Sequence, residues 1–181
     1  MSSSQQIIDQ TINWINKVVV ACNFCPFAAR TLQHHTVHYQ VEANTNETLC
    51  LDAFLKEIAR LDKELQIETS FLIFPNAFQQ FEDYLNLVSN AEHLLKEKGY
   101  TGVYQLASFH PMYRFASSEK NDAADYTNRS IYPMLHILRE SSIEKALAHY
   151  ENPEKIPERN VDFARKKGLT FMKLLRDSCF K

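Results

Sequence analysis

The chain contains few glycines, and their scarcity excludes two common classes of nucleotide-binding site. Only Gly99, Gly102 and Gly168 occur among the 181 residues. The Rossmann fingerprint and the P-loop both need several closely spaced glycines, because the backbone must approach phosphate oxygens. Neither motif can be written anywhere in this sequence, so classical nucleotide-binding folds are disfavoured.

The sequence also lacks an excess of charge of either sign. Its 20 lysines and arginines stand against 22 acidic residues, which gives a formal net charge of −2. We therefore expect neither nucleic acid nor a membrane as a partner. The longest apolar run, around 18–27, is too short to span a bilayer. Because the start, MSSSQQIIDQ, does not resemble a secretory signal, we expect a cytoplasmic protein whose four cysteines are thiols.

Hydrophobic periodicity predicts helices and strands in alternation. Apolar residues recur at helical spacing in three long segments, at 5–20, 44–65 and 78–98, and a short helix is expected after Pro26. Alternating or continuously apolar segments predict strands over 36–42, 69–75 and 102–110. After an irregular stretch, helices are predicted near 133–149 and 157–176, with Gly168 as a break.

Strands that alternate with helices imply right-handed crossovers, which make neighbouring strands parallel. We therefore expect a single domain, 1–181, of the α/β or α+β class. Its small, mainly parallel sheet of three to four strands should be covered by helices, with additional helices at the C-terminus. In such sheets a ligand binds beyond the carboxyl ends of the strands.

The stretch ACNFCPFAAR contains a CxxC pair, Cys22 and Cys25. This pair fits a redox couple, half of a zinc site, or one nucleophile beside an inert thiol. A fourth interpretation makes both cysteines small core residues. Because Cys25 precedes Pro26 at a predicted helix start, free amides and the helix dipole are expected to favour its thiolate.

A second group of polar residues lies at 108–140. If Pro133 begins a helix, His136 and Arg139 lie on one helical face near its N-terminus, which favours anion binding. Arg129 would add a bidentate contact to a carboxylate or a phosphate. The structural alternative is that these residues satisfy the backbone of an irregular segment.

The predicted topology also relates the two groups. If the short helix after Cys25 packs antiparallel to the strand at 36–42, its N-terminus lies at the carboxyl edge of that strand. The strand at 102–110 ends at the same edge with Phe109 and His110. We therefore expect Cys25 and His110 to share an edge of the sheet.

Three motifs, NFCPFA, SFHPMYRF and TNRSIYPMLHILRE, make the chain resemble the bacterial domain-of-unknown-function family 1415 over essentially its whole length. The resemblance supplies a pattern of residues and no reaction. The matching positions are Asn23, Cys25, Pro26, Phe27, Ala28, His110, Pro111, Tyr113, Phe115, Asn128, Arg129, Pro133, His136, Arg139 and Glu140. The family pattern has no cysteine at the position of Cys22, and it has proline where Ile131 stands. The first departure favours Cys25 acting without Cys22.

Three hypotheses about function follow. The first is an enzyme for a small anionic substrate, with Cys25 as nucleophile and His110 as the general base or as the imidazolium partner that keeps the thiolate. Its substrate-binding residues would be Tyr113, Asn128, Arg129, His136 and Arg139. The second is a binding module without catalysis, in which the same groups hold an anionic metabolite or partner. The third is a zinc protein that uses Cys25, His110 and His136. The sequence identifies no cofactor and no oligomeric state.

Overall fold

The computed structural model describes residues 3–148 and 150–181. The α-helices in chain order are α1 Ser4–Trp14, α2 Ala28–Gln33, α3 Glu47–Lys63, α4 Phe81–Glu97, α5 Glu140–Leu147, α6 Ile156–Lys167 and α7 Leu169–Asp177. A π-helical segment, Ile15–Val20, extends α1. Short 3-10 helices lie at Ala123–Thr127, Pro153–Lys155 and Ser178–Phe180.

Most of these elements lie where the periodicity predicts them. The first helix, α3, α4 and the three predicted strands are confirmed within a few residues. The break at Gly168 is confirmed too, since this residue ends α6, precedes α7 and has a φ of +85°. An L side chain rarely adopts that φ, which makes glycine the natural residue there.

The sheet has the strand order β1-β2-β4-β3, with β1 Val37–Val41, β2 Thr69–Ile73, β3 Tyr104–Phe109 and β4 Met134–Arg139. β1 and β2 are parallel, whereas β4 is antiparallel to both β2 and β3. The prediction of a mainly parallel sheet is therefore wrong. Strands β1, β2 and β3 do run in one direction, but β4 lies between β2 and β3 and makes two of the three pairings antiparallel.

The segment that follows Pro133 is a strand, so the predicted helix near 133–149 is wrong in its first half. Residues Met134–Arg139 form β4, and only Glu140–Leu147 are helical as α5. Since β4 lies inside the sheet and is covered on both faces, its sequence MLHILR does not alternate. A short apolar run of this kind cannot be assigned to helix or strand from its periodicity.

Helices cover both faces of the sheet. The face here called the α3–α4 face packs against those two helices in a core that includes Phe54, Ile58, Tyr84, Leu72 and Ile137. The opposite face, called the α1 face, packs against α1, its π-helical extension, α6 and α7 in a second core. The helix α2 and the helix α5 complete the cover of the α1 face.

None of the described helices is both long enough and apolar enough to cross a membrane.

Candidate functional site

A cavity of about 420 Å³ lies on the α1 face of the sheet. Its floor consists of side chains from four strands: Val37 of β1, Thr69 and Phe71 of β2, Ala107 and Phe109 of β3, and His136 and Leu138 of β4. These residues belong to adjacent cross-strand pairs, for example Phe71 with His136 and His136 with Ala107. The alternation of side chains along each strand therefore places them on the same face.

The walls of the cavity come from the helices that cover this face. Trp14, Ile15 and Val19 project from α1 and its π-helical extension, and Ile143 and Ala146 project from α5. The loop before α2 adds Phe24, Cys25 and Phe27. Because most of these side chains are aliphatic or aromatic, the interior is predominantly apolar.

Charged groups occur at the mouth of the cavity. Arg30 of α2 and Glu68, which precedes β2, form an ion pair with an N–O distance of 3.3 Å. Arg30 keeps 54% of its side chain exposed, and the neighbouring Gln105 is also exposed. Because these two charges are opposite and adjacent, they produce little net electrostatic potential at the mouth.

His136 is the polar side chain at the centre of the floor. Its ring stacks on Phe71, with centroids 3.8 Å apart and planes 7° from parallel. Thr69 donates its hydroxyl hydrogen to the carbonyl of Ile137 at 2.7 Å, so its oxygen accepts the second hydrogen bond, from Nε2 of His136. The neutral ring then carries its hydrogen on Nε2, and Nδ1 remains an acceptor.

His136 stays uncharged over the physiological range. Burial lowers its pKa to about 3, because a low-polarity environment disfavours the imidazolium ion. The ring nevertheless keeps some accessible surface, since it faces the cavity. Nδ1 has no hydrogen-bond partner among the described residues, and the imidazole therefore offers one free acceptor to the cavity.

Cys25 lines the same cavity as His136. The helix α2 begins only at Ala28, with Phe27 before it, so Pro26 does not occupy the first helical position as predicted. Burial raises the pKa of the Cys25 thiol, and hydrogen bonds from the amides of Phe27 and Ala28 offset only part of this effect. The expected preference for thiolate is therefore not met, and Cys25 is a neutral thiol near pH 7.

The remaining cysteines are more deeply buried than Cys25. Cys22, Cys50 and Cys179 all belong to the cores, and none of the three lines the cavity. Cys22 lies beside the cavity wall in the core of the α1 face, with its pKa raised by burial. Its position agrees with that of a small core residue.

His110 does not lie near Cys25, contrary to the expectation of a shared edge. It is fully buried against the rings of Phe81 and Tyr84, on the α3–α4 side of the sheet. Nε2 of His110 donates to the carbonyl of Phe78 at 2.8 Å, and Nδ1 accepts the amide of Met112 at 3.0 Å. Both ring nitrogens are thus occupied by backbone groups. The three residues predicted to bind zinc are consequently not brought together.

Tyr113, Asn128 and Arg129 belong to the β3–β4 loop, residues 110–133, and groups of this loop and of the end of β3 satisfy their polar atoms. Asn128 donates to the carbonyl of Ser108 at 3.2 Å, and the backbone oxygen of Asn128 accepts the amide of His110. The ring of Tyr113 packs on those of Phe81 and Phe115. None of the described residues that line the cavity comes from this loop.

Arg129 holds the β3–β4 loop together. Its Nη2 lies 3.2 Å from Oδ2 of the buried Asp125, and its Nε donates to the carbonyl of Tyr113 at 2.9 Å. The guanidinium also covers the ring of Tyr126. The other carboxylate oxygen of Asp125 accepts the amide of Phe115. Each group in this cluster is used within the loop.

Arg139 borders the cavity, but its guanidinium serves the opposite side of the sheet. Nη2 donates to the carbonyls of Leu61 and Ile67, and Nη1 donates to the hydroxyl of Tyr104. Leu61 lies in the last turn of α3, where free carbonyls favour a cation. Arg129, His136 and Arg139 therefore do not form the predicted anion site. Arg129 binds within the β3–β4 loop, His136 faces the cavity, and Arg139 binds carbonyls near the end of α3.

Trp14, Thr69 and Phe71 are site residues that the sequence motifs do not indicate. Phe71 and Trp14 resemble ordinary core residues in a sequence. Thr69 stands at the start of a predicted strand, and only the pairing of β2 with β4 brings it to His136. One feature of the sequence does indicate a site here, because His136 is a single histidine within the apolar segment 134–138.

The chain belongs to the family described as "Protein of unknown function (DUF1415)", which it matches over residues 6–174. The resemblance indicated by the three sequence motifs is thereby confirmed. Comparison with curated proteins and with solved structures gave no match.

Proposed function

We propose that this member of the family binds a small, predominantly apolar molecule in the cavity over Phe71 and His136. The observation that carries the proposal is the cavity itself, about 420 Å³ in volume. Ligand sites typically measure about 300–1,000 Å³ and combine apolar walls with a few polar groups. This cavity has both properties.

The lining determines the chemical character of the occupant. Trp14, Phe71 and Phe109 line the cavity, and their rings pack against one another, Trp14 edge-to-face on Phe109 and Phe71 tilted to Phe109. Apolar area removed from water contributes roughly 25 cal/mol per Å². An aromatic or aliphatic molecule therefore gains most of its affinity from burial.

Binding of an anion, as expected from the sequence, has less support. Of the predicted arginines, Arg129 pairs with Asp125, and Arg139 binds carbonyls at the end of α3. Arg30 does lie at the mouth, but it is paired with Glu68. A carboxylate inside the cavity would lose its hydration, and Arg139, which borders the cavity without a carboxylate partner among the described residues, directs its Nη groups to backbone carbonyls on the other side of the sheet. We therefore favour a neutral ligand.

Calorimetric titration with 2-methoxynaphthalene tests the proposal. We expect binding in the micromolar range with a negative heat-capacity change, because apolar surface is buried. The substitution Ala107→Phe fills the floor beside His136 and should abolish binding. The matched control Ala59→Phe, at an exposed position of α3, should leave affinity unchanged. Absence of binding to the wild type, or equal affinities for both variants, would contradict the proposal.

A cysteine-dependent reaction on the bound molecule is the second candidate function. It is favoured by the presence of Cys25 and His136 in the lining of one cavity. The simplest reaction is acyl transfer from an aryl ester such as 2-naphthyl acetate. Sγ would attack the acetyl carbonyl, the C–O bond would break, and 2-naphthol would leave with the thiol proton. Water would then hydrolyse the thioester to acetate and free thiol.

Release of 2-naphthol measures this reaction directly. Wild-type protein should release 2-naphthol through repeated turnover, and Cys25→Ser should remove at least nine-tenths of the rate, or about tenfold. Retention of the full rate in Cys25→Ser, or no release by the wild type, would refute the catalytic candidate. Neither result would affect the binding proposal, which the non-reactive ether tests separately.

A further inference from the structure

The geometry points to a phenol as the class of molecule that occupies the cavity, with its hydroxyl donating a hydrogen bond to Nδ1 of His136. This inference rests on the proposed binding function and makes it more specific. Three features of His136 support it: the ring nitrogen that is free, the packing that holds the imidazole in place, and the charge around the imidazole.

Thr69 determines which ring nitrogen is free. A threonine hydroxyl has one hydrogen, and Thr69 gives it to the carbonyl of Ile137. Its oxygen can then only accept from Nε2 of His136. The lone pair on the imidazole is thereby assigned to Nδ1. Since Nδ1 has no partner among the described residues, a ligand that displaces water from it must supply a donor in its place.

The aromatic row on the floor holds the imidazole in a fixed plane. Tyr39, Phe71 and His136 occupy consecutive cross-strand positions on β1, β2 and β4. Tyr39 stacks on Phe71 with planes 8° apart, and Phe71 stacks on His136 with planes 7° apart. This row removes rotational freedom from His136, so its free nitrogen is preorganised for one direction of approach.

The shortest side chain of the cavity floor lies beside His136. The partner of His136 on β3 is Ala107, whose side chain is a single methyl group, while larger rings flank it. A flat ring can therefore lie over Ala107 next to the imidazole edge. A planar aromatic body in this space would lie beside Phe109, whose ring favours offset or edge-to-face contacts with another ring.

The charge environment selects a neutral donor. His136 is uncharged because burial keeps its pKa far below neutral pH. Its Nδ1 lone pair repels a carboxylate, which has no hydrogen to donate. An ammonium group has hydrogens, but it would lose its hydration in a cavity with apolar walls. A phenol hydroxyl is neutral and donates one hydrogen bond.

Three naphthalene probes of similar size test the assignment: 2-naphthol, 2-methoxynaphthalene and 2-naphthoate. We expect 2-naphthol to bind about tenfold more tightly than the ether, as one hydrogen bond to a buried acceptor predicts. The naphthoate should bind most weakly. Equal affinities for 2-naphthol and the ether would overturn the phenol assignment while leaving the proposed binding function intact. Failure of both to bind would refute the proposed function itself.

The variant His136→Phe keeps a flat ring and removes the acceptor. In this variant the roughly tenfold preference for 2-naphthol over the ether should disappear, so that the two affinities become equal. Measurable binding of the ether also reports that the variant is folded. A preference for 2-naphthol that persists in His136→Phe would contradict the assignment.

Nitrogen NMR of the wild type gives an answer that needs no variant. Long-range ¹H–¹⁵N spectra should show His136 protonated on Nε2, and 2-naphthol should shift the Nδ1 resonance upfield, whereas the ether should not. A ring protonated on Nδ1, or an equal response to both probes, would overturn the inference.

Discussion

The β3–β4 loop and the apolar cavity differ in how their polar groups are used. The loop contains four of the predicted site residues, His110, Tyr113, Asn128 and Arg129, and their side chains bind or pack against neighbouring protein groups. The cavity contains few polar groups, yet one of them, Nδ1 of His136, has no partner among the described residues. A dense set of polar residues in a sequence can thus serve structure, while a binding site lies among apolar residues.

Trp14 connects the two regions. Its ring lines the cavity and packs edge-to-face on Phe109, and its indole nitrogen donates to the carbonyl of Arg129. The order of the loop therefore supports one wall of the cavity. Substitutions that loosen the loop should act on binding only indirectly, through Trp14.

The largest expected difference between the regions concerns two arginines. Arg129→Ala should lower the free energy of unfolding by about 3 kcal/mol, because the carboxylate of Asp125 would remain buried without its partner. Arg30→Ala should lower it by less than about 0.5 kcal/mol, since Arg30 is half exposed. Urea denaturation measures both values. Similar values for the two variants would remove the distinction between a structural loop and a solvated cavity mouth.

A matched pair of histidine substitutions gives the next largest effect. His110→Phe should cost about 3 kcal/mol of stability, because the carbonyl of Phe78 and the amide of Met112 lose their buried partners. His136→Phe should cost only about 1 kcal/mol, because Thr69 keeps its bond to Ile137. By contrast, His136→Phe should weaken the binding of 2-naphthol more than His110→Phe does. The comparison fails if His110→Phe is stable and loses binding of this probe.

The pH dependence of stability should distinguish His136 from its phenylalanine variant. Burial lowers the pKa of His136 to about 3, from an ordinary value of 6.5. The unfolded chain therefore binds more protons between these values, and stability is lost as the pH falls below about 6.5. Between pH 7 and pH 5, the wild type should lose about 2 kcal/mol more than His136→Phe. His110, whose pKa burial also lowers, contributes in both proteins. Parallel pH profiles would show that His136 is not buried in neutral form.

The smallest expected effect is a few-fold change in cysteine alkylation. Iodoacetamide should modify Cys25 slowly, because its thiol is neutral near pH 7. The fully buried Cys50 and Cys179 should remain unmodified in the folded protein. Saturating 2-methoxynaphthalene should slow the modification of Cys25, as measured by mass spectrometry of its peptide. Modification at the same rate with and without the probe would place the probe outside the cavity.

Sequence patterns predicted three of the four strands and failed for β4. The helices α3 and α4 and the strands β1 to β3 follow from their periodicity and turn residues. Strand β4 does not, because its short apolar run lacks alternation and follows Pro133, a residue that is also typical of the first position of a helix. Since β4 lies between β2 and β3, missing this strand also led to the wrong prediction of parallel pairing in this part of the sheet.

The same error accounts for most of the mistaken site geometry. On a helix, His136 and Arg139 would lie on one face. On β4 they are an odd number of residues apart, so their side chains point to opposite faces of the sheet. Cys25 and His136 were both named from the sequence and do line one cavity. The partners that define the site, Thr69 and Phe71, depend on cross-strand register, which short-range patterns do not contain.

A crystal structure of the protein soaked with 2-naphthol tests the central claim most directly. We expect the naphthalene ring over Ala107, between the imidazole of His136 and the ring of Phe109, with the hydroxyl oxygen within hydrogen-bond distance of Nδ1. An empty cavity, with 2-naphthol bound instead among Tyr113, Asn128 and Arg129 of the β3–β4 loop, would contradict it.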